Sequence, residues 1–235
     1  MRVEDKLFDE VPNRIGKSSL KWSKYKNSDI IPLWVADMDF RSPSPVIQLA
    51  REISDDGNFG YGICPPALSE TVINRLNDFY DWSVERNSII WLPGMVCGLN
   101  IACRSLADEA TQVITNTPVY PPFLSSPGNS GLPCTRIPMI VKEGRFTIDF
   151  DALHNLETSP NDLFMLCHPH NPVGTNFSRQ ELENLSEYII ERELFICSDE
   201  IHCDLILEES RSHIPFAALS DEIADRTITL MAPSK

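Results

Sequence analysis

An α/β fold, built on a mostly parallel sheet with helices on both faces, is what this chain predicts, and three observations carry the prediction. Residues 163–167 (Leu-Phe-Met-Leu-Cys) and the Leu194-Phe195-Ile196-Cys197 run are apolar and of strand length. A third run, 227–231 (Thr-Ile-Thr-Leu-Met), is rich in β-branched residues. Between the first two, Ser178-Arg179-Gln180-Glu181 has the form of a capping box and opens a helix reaching about Arg192. Strand, helix and strand in that order form a βαβ unit, whose two strands run parallel. Strands that are apolar without alternation belong to a sheet buried on both sides.

The other elements follow in order. Residues 1–41 read as an extended N-terminal arm, with Lys21-Trp22 and Trp34 as its anchors. Ser42-Pro43-Ser44-Pro45 places a cap and then a proline at the start of a helix. Val46, Ile47, Leu49, Ala50 and Ile53 give that helix an apolar face, and Asp55-Asp56-Gly57 ends it. A loop rich in Gly and Pro leads to a second helix with Leu68, Val72, Ile73, Leu76 and Phe79 on one stripe. Residues 42–88 are thus entry helices and loop, and a large domain is expected over 89–235. It should open with a short strand at Ile89-Ile90-Trp91-Leu92, broken by Pro93-Gly94. A helix from about Val96 to Leu106, a strand at 112–115 and a corner at Tyr120-Pro121-Pro122-Phe123 come next. Residues 136–141 and 145–148 are β-like around Lys142-Glu143-Gly144.

Composition excludes several classes of function. Acidic residues number 34 against 20 basic ones, for a net charge of −14. A nucleic-acid or anionic-membrane partner needs a basic footprint, and none is present. No apolar run approaches the roughly 18 residues that span a bilayer. The start of the chain is charged, with no apolar segment behind it, so no signal peptide is expected. The seven cysteines are scattered singly, without a Cys-x-x-Cys pair, and suit reduced thiols in the cytoplasm.

The chemistry lies where the apolar runs stop. The first gives way to His168-Pro169-His170-Asn171-Pro172-Val173-Gly174-Thr175, the second to Ser198-Asp199-Glu200-Ile201-His202, the third to Ala232-Pro233-Ser234-Lys235. Parallel strands would bring Asn171, Asp199 and Lys235 to one sheet edge, where open α/β sheets hold ligands. An amide, an acid and an amine together suit pyridoxal phosphate. The amine can hold the cofactor as a Schiff base, and the acid can keep the ring nitrogen protonated so that the ring draws electrons. Each residue also has a plainer reading: an exposed chain-end lysine, a carboxylate capping a turn, an Asn-Pro turn. His168 and His170, together with His202 and Cys203, invite a metal, but Pro169 between the first two makes joint chelation awkward and no metal is expected.

These segments resemble fold-type I, aspartate-aminotransferase-like enzymes. Trp34-Val35-Ala36-Asp37-Met38-Asp39-Phe40 and Phe59-Gly60-Tyr61-Gly62 narrow the resemblance to the MalY/PatB-type C–S lyases, or cystathionine β-lyases. The resemblance implies the three-layer large domain of that fold, incomplete at its C-terminal end, with a small C-terminal domain beyond Lys235. It implies that Lys235 is the catalytic amine and that Ser234 beside it contacts the cofactor. Asp199 would face the ring nitrogen and Glu200 would be structural, because neighbours on a strand point to opposite faces. Asn171 would bond the ring oxygen and Tyr120 would lie flat against the ring, unless it is a core aromatic. Val96 and Cys97, behind Pro93-Gly94, would receive the phosphate on helix N-terminal amides. His202 stands where many relatives carry a tyrosine near the ring hydroxyl. Tyr61 would reach the phosphate of a neighbouring subunit, which makes the active unit a homodimer, and Asp37 would lie in the segment lining the substrate entrance. The implied activity is cleavage of cystathionine- or cysteine-type amino acids to pyruvate, ammonia and a thiol. An aminotransferase is the alternative, and a non-catalytic regulatory or inactive fragment the second.

Overall fold

A computed structural model describes residues 8–234. The chain divides into two compact units, Met1–Ile63 and Cys64–Lys235. The first unit holds the short helix α1 (Leu20–Ser23) and α2 (Ser44–Asp56), with extended chain between them. The expected anchors hold it: Lys21 Nζ binds Asp39 Oδ2 and the Asp37 carbonyl at 2.7 Å each. Trp22 Nε1 donates to Asp39 Oδ1 (2.7 Å), Trp34 Nε1 donates to the Lys21 carbonyl (3.2 Å), and Arg14 grips both Asp37 oxygens at 2.8 Å. Helix α2 starts at its Ser-Pro pair and ends on Gly57, whose φ of 67° is the left-handed conformation a helix stop demands. None of its residues is buried, so its apolar face lies open.

In the second unit α3 (Pro66–Tyr80) carries the second predicted stripe, and only Ser69 and Leu76 on it are buried. The strand expected at 89–92 does not form. A 3-10 turn over Arg86–Ser88 is followed by extended chain with Ile90 largely exposed. Without a neighbouring strand among the described residues to receive its N–H and C=O groups, a four-residue apolar run gains nothing from pairing. Helix α4 (Met95–Ser105) then leads into β1 (Val113–Thr117). The expected corner at Tyr120 is instead the entry to α5 (Pro122–Asn129), masked in the sequence by prolines that here occupy the first helical turn.

The predicted β run at 136–141 is divided. Residues Cys134–Pro138 form β2 in the main sheet, and Ile140–Lys142 form β3, which pairs with β4 (Arg145–Thr147) in a hairpin. After α6 (Phe150–His154) come β5 (Leu163–Cys167), α7 (Arg179–Glu191), β6 (Phe195–Asp199), α8 (Asp221–Ala224) and β7 (Thr227–Leu230). Both halves of the predicted capping box are made: Ser178 Oγ accepts from the Glu181 amide and Glu181 Oε2 accepts from the Ser178 amide.

The main sheet has the order β2-β1-β5-β6-β7, and every pairing in it is parallel. Alternate residues of each strand feed two apolar cores. Ile114, Phe164, Leu166 and Ile196 pack on the side of α7 with Leu182, Leu185 and Phe216. Val113, Leu163, Met165, Cys167 and Cys197 pack on the side of α4 and α5 with Leu99, Cys103 and Phe123. Burial on both faces explains why these strands lack alternation in the sequence. From β1 the chain first steps outward to β2, then returns to lay β5 on the other side of β1. That reversal is a topological switch point, and its crevice opens at the carboxyl ends of the strands.

Candidate active site

The elements converge on this carboxyl edge. Asp199 is the last residue of β6, in register with Cys167 at the end of β5 and Leu230 at the end of β7. Its carbonyl accepts from the His168 amide (2.9 Å), and the next amide, of Glu200, donates to the Leu230 carbonyl (2.8 Å). Asn171 lies four residues past β5 and Tyr120 three past β1, and the Tyr120 amide donates to the Asn171 carbonyl (3.1 Å). The two loops flanking the switch point are therefore tied together. Cys167 Sγ accepts from the Asn171 amide (3.3 Å), and His170 Nε2 meets the Pro118 carbonyl (2.8 Å). Three X-Pro bonds at this edge, before Pro118, Pro169 and Pro172, are cis.

Helix α4 starts at the same edge. A Cβ on Gly98 would come within 2.9 Å of the Leu230 side chain, so a glycine here lets the first turns of α4 lie close over the end of β7. Its N-cap, Gly94, has no side-chain cap bond, and the first helical amides, those of Met95, Val96 and Cys97, precede the first helical donor, Gly98. Such amides, with the helix dipole behind them, favour an anion.

Asp199 is buried, and burial pushes its carboxyl up to about 6, with the Glu200 charge adding to the effect and the Ile201 amide on Oδ1 (3.2 Å) opposing it. Among the described residues no ion pair reaches it. Glu200 points to the other face. It is fully enclosed and accepts from the Ser198 hydroxyl (2.8 Å), the Phe216 amide (2.9 Å) and His213 Nε2 (2.6 Å). His213 and Phe216 had no signal in the sequence, because both come from a loop whose position only the fold sets.

The remaining predicted residues are placed as follows. Tyr120 and Val96 are exposed, Cys97 is partly buried, and all three lie beside the edge. His202 sits half-buried in the turn after Asp199, its carbonyl accepting from the Leu205 amide (2.9 Å). Ser234 is exposed, four residues past β7. Lys235 lies outside the described residues. Tyr61 belongs to the first unit and is fully exposed there. Asp37, also in that unit, spends its side chain on Arg14. Burial lowers the pKa of both His168 and His170, and each places Nε2 against a backbone carbonyl, of Ile214 and Pro118 respectively. Among the described residues no three His, Cys, Asp or Glu side chains converge on a metal site, and no helix is long and apolar enough to cross a membrane.

A pyridine-type cofactor with a phosphate fits this donor set. A buried carboxylate without a cation gains from a protonated ring nitrogen, and open amides at α4 gain from an anion. Comparison with known proteins points the same way. Residues 28–235 match the model for aminotransferases of class I and II. The chain is 38% identical over 233 residues to cystathionine beta-lyase PatB of Bacillus subtilis, covering 97% of this chain and 60% of the relative. Among solved structures, OvoB superposes with a TM-score of 0.91 at 40% identity, over 96% of this chain and 59% of that one. Cystalysin from Treponema denticola, whose structure contains a pyridoxal 5'-phosphate cofactor, superposes with a TM-score of 0.86 at 30% identity, over 96% and 59%. The chain thus spans about 60% of the length of these relatives.

Proposed function

Because the chain belongs to the aminotransferase class I and II family, we propose that it forms the cofactor-holding part of a pyridoxal-phosphate-dependent carbon–sulfur β-lyase. Its substrate is an amino acid with sulfur on the β-carbon, of the cystathionine or cysteine kind, and the products are pyruvate, ammonia and a thiol. The observation that carries this reading is Asp199, a buried carboxylate at a strand end beside the switch point, without an ion-pair partner among the described residues. Bound there, pyridoxal phosphate supplies an electron-withdrawing ring that takes up the charge left when a proton departs from the substrate's α-carbon.

The chain's own residues do the rest. Asp199 holds a proton on the ring nitrogen. Asn171 donates its amide to the ring oxygen, and the loop bond to Tyr120 keeps both residues at the edge. Tyr120 would lie against the ring, the amides of Val96 and Cys97 would receive the phosphate, and Ser234 and His202 would complete the surround. Lys235 would be the amine that holds the cofactor and, once the substrate's own amine takes its place there, the base that would move the α-proton. Thiolate then leaves the β-carbon, and water completes the release of pyruvate and ammonia. A homodimer in which Tyr61 serves the neighbouring site is part of the proposal, supported by its full exposure and the open apolar face of α2. So is a cytoplasmic setting, supported by seven cysteines that are all free thiols.

Incubating the intact protein with cystathionine decides the reaction. Pyruvate released without any keto acid is the expected result, and a strict need for a keto-acid acceptor establishes the aminotransferase that the family description also fits. Borohydride reduction with the cofactor present should label Lys235, and label on another lysine removes the assignment. Asp199→Ala should lower the rate on the order of a hundredfold or more, a larger factor than its loss of cofactor affinity, as expected for loss of one strong electrostatic contributor.

A further inference from the structure

Asp199 is aimed by its backbone more than by neighbouring side chains. The carboxylate takes the Ile201 amide, two residues on, and the peptide around it is pinned by the His168 and Glu200 amide bonds. The next residue, Glu200, is bound far more completely. Ser198 Oγ and the Phe216 amide converge on Oε1 and His213 Nε2 on Oε2, with Glu200 wholly enclosed and Phe216 buried in the core on the α7 side. The Cys203 amide also donates to the Glu200 carbonyl (3.0 Å), which closes the turn after the strand. A fully enclosed carboxylate is costly unless it is bonded, and three donors from two segments hold this one in place. His213 is further held against His168, ring centroids 4.6 Å apart, and His168 follows directly on the end of β5.

We propose that Glu200 is a positioning residue: its carboxylate clamps the end of β6 to the 213–216 segment, and so fixes the 199–201 turn that presents the Asp199 carboxylate to the cofactor ring. The proposal rests on the cofactor reading above, and goes beyond it in giving a positioning task to a side chain on the opposite face of the sheet. Shape rather than charge performs that task. A glutamine at 200 still offers an oxygen to Ser198 and Phe216, and His213 can change tautomer to accept from the new amide. An alanine abandons all three donors.

Two readouts on the full chain test this, with pyridoxal 5'-phosphate as the probe. The first is its dissociation constant by absorbance titration, at a temperature well below each variant's melting point. Glu200→Ala should raise the constant roughly tenfold or more, the scale on which partners that orient a binding group act. Glu200→Gln should stay within about threefold, and Ser198→Ala, which removes one donor and leaves the other two, should show a loss of about threefold. The second readout needs no cofactor: the carboxyl ¹³C resonance of Asp199, whose surroundings include the Glu200 charge and the Cys167 and Cys197 thiols. It should be single and sharp in the parent and Glu200→Gln proteins, and broadened or split in Glu200→Ala. A Glu200→Ala protein that melts lower yet binds the probe as tightly as the parent, with a sharp Asp199 resonance, reduces Glu200 to a structural role and overturns the proposal. Equal losses in Glu200→Gln and Glu200→Ala assign the effect to charge and also overturn it. If the parent itself does not bind the probe, the cofactor reading is what fails, and the resonance alone then decides the positioning role.

Discussion

Asp162 and Asp199 sit at opposite ends of the same parallel sheet, both buried, and their surroundings treat them in opposite ways. Asp162 lies just before β5, at the amino edge. Its oxygens accept from the amides of Ser159, Thr111 and Gln112, from the Thr111 hydroxyl and from the Gln112 side chain, at 2.8 to 3.1 Å. Burial works to raise its pKa, and these bonds more than offset it, so the group ends below its ordinary value. Asp199, at the carboxyl edge, has the Ile201 amide against the same desolvation and ends high, at about 6. The difference separates two uses of a buried acid. One is spent on holding loops to the sheet, and the other, on the function proposed above, is kept for a positive charge supplied by a ligand.

The contrast breaks most visibly at Asp162. Asp162→Ala strands several donors at once, and at about 1–3 kcal/mol for each orphaned group, with water restoring part, the expected loss is about 3–5 kcal/mol. Denaturant unfolding of the cofactor-free protein measures it. Because the native group is shifted down, the stability it contributes is present above the unfolded value and fades as pH falls through the native one. The gap between parent and Asp162→Asn should therefore narrow in acid. A gap that stays constant from neutral pH into acid would mean that the bonds at Asp162 do not depend on its charge.

Asp199 should show the opposite sign. Its native value, about 6, lies above the ordinary 3.8, so what the neutral form contributes is complete below 3.8 and lost as pH rises through about 6. A shift of that size corresponds to about 3 kcal/mol, an upper figure for a group retaining some contact with water. Asp199→Asn, which keeps an acceptor for the Ile201 amide, should thus stabilise the cofactor-free protein at pH 8 by up to about 3 kcal/mol and have little effect near pH 4. Melting curves at the two pH values check it. A destabilised Asp199→Asn protein at pH 8 would falsify the view that this carboxylate is held at a cost.

The two acids also differed in how far the sequence disclosed them. The strand-end position of Asp199 was legible because an apolar strand run breaks off in two carboxylates, and period-two alternation alone says that the two point to opposite faces. Asp162 was not legible: its partners Thr111 and Gln112 stand 51 and 50 residues earlier. The same distance hid the His213 and Phe216 contacts of Glu200. Helix α5 was concealed by prolines whose usual meaning is a break, whereas the capping box of α7, with all its residues within one turn, could be read directly. The expected strand at 89–92 shows the converse error, since apolar residues in a row state a preference and pairing needs a partner. Local chemistry and strand ends were thus readable, and contacts closed by the tertiary fold were not.

The first unit extends the comparison to a carboxylate held by side chains alone. Asp39 takes Lys21 Nζ and Trp22 Nε1, each at 2.7 Å, and Lys21 is itself buried. Asp39→Ala leaves that ammonium with the Asp37 carbonyl, and the expected cost is about 1–3 kcal/mol. Among described residues of this unit only Ser19, Lys21 and Pro32 are buried, so there is little apolar core to share the loss. Hydrogen exchange at amides within 14–39 should quicken while those of β5 and β6 are unchanged, and uniform quickening across the chain argues against a local knot.

The smallest expected effect is at Glu181, a saturated carboxylate whose partners back one another up. Its oxygens take the Ser178 amide and hydroxyl (2.8 Å each), both guanidinium nitrogens of Arg145 (2.7 and 2.5 Å), and the Thr147 hydroxyl. Those partners join the start of α7 to the β3–β4 hairpin. Ser178→Ala removes the hydroxyl that accepts the Glu181 amide and costs the cap, ordinarily about 1 kcal/mol. The Ser178 backbone amide still donates to Glu181 Oε2, and Arg145 and Thr147 still hold the carboxylate, so its position survives. The loss should therefore fall near the lower end of the range for caps, about 0.5–1 kcal/mol by denaturant unfolding. Ser178→Ala combined with Arg145→Ala should lose more than the sum of the two single changes, since each partner covers for the other only while one remains. Strict additivity would show that the bonds at Glu181 act independently, and that a shared carboxylate confers no reserve at this end of the sheet.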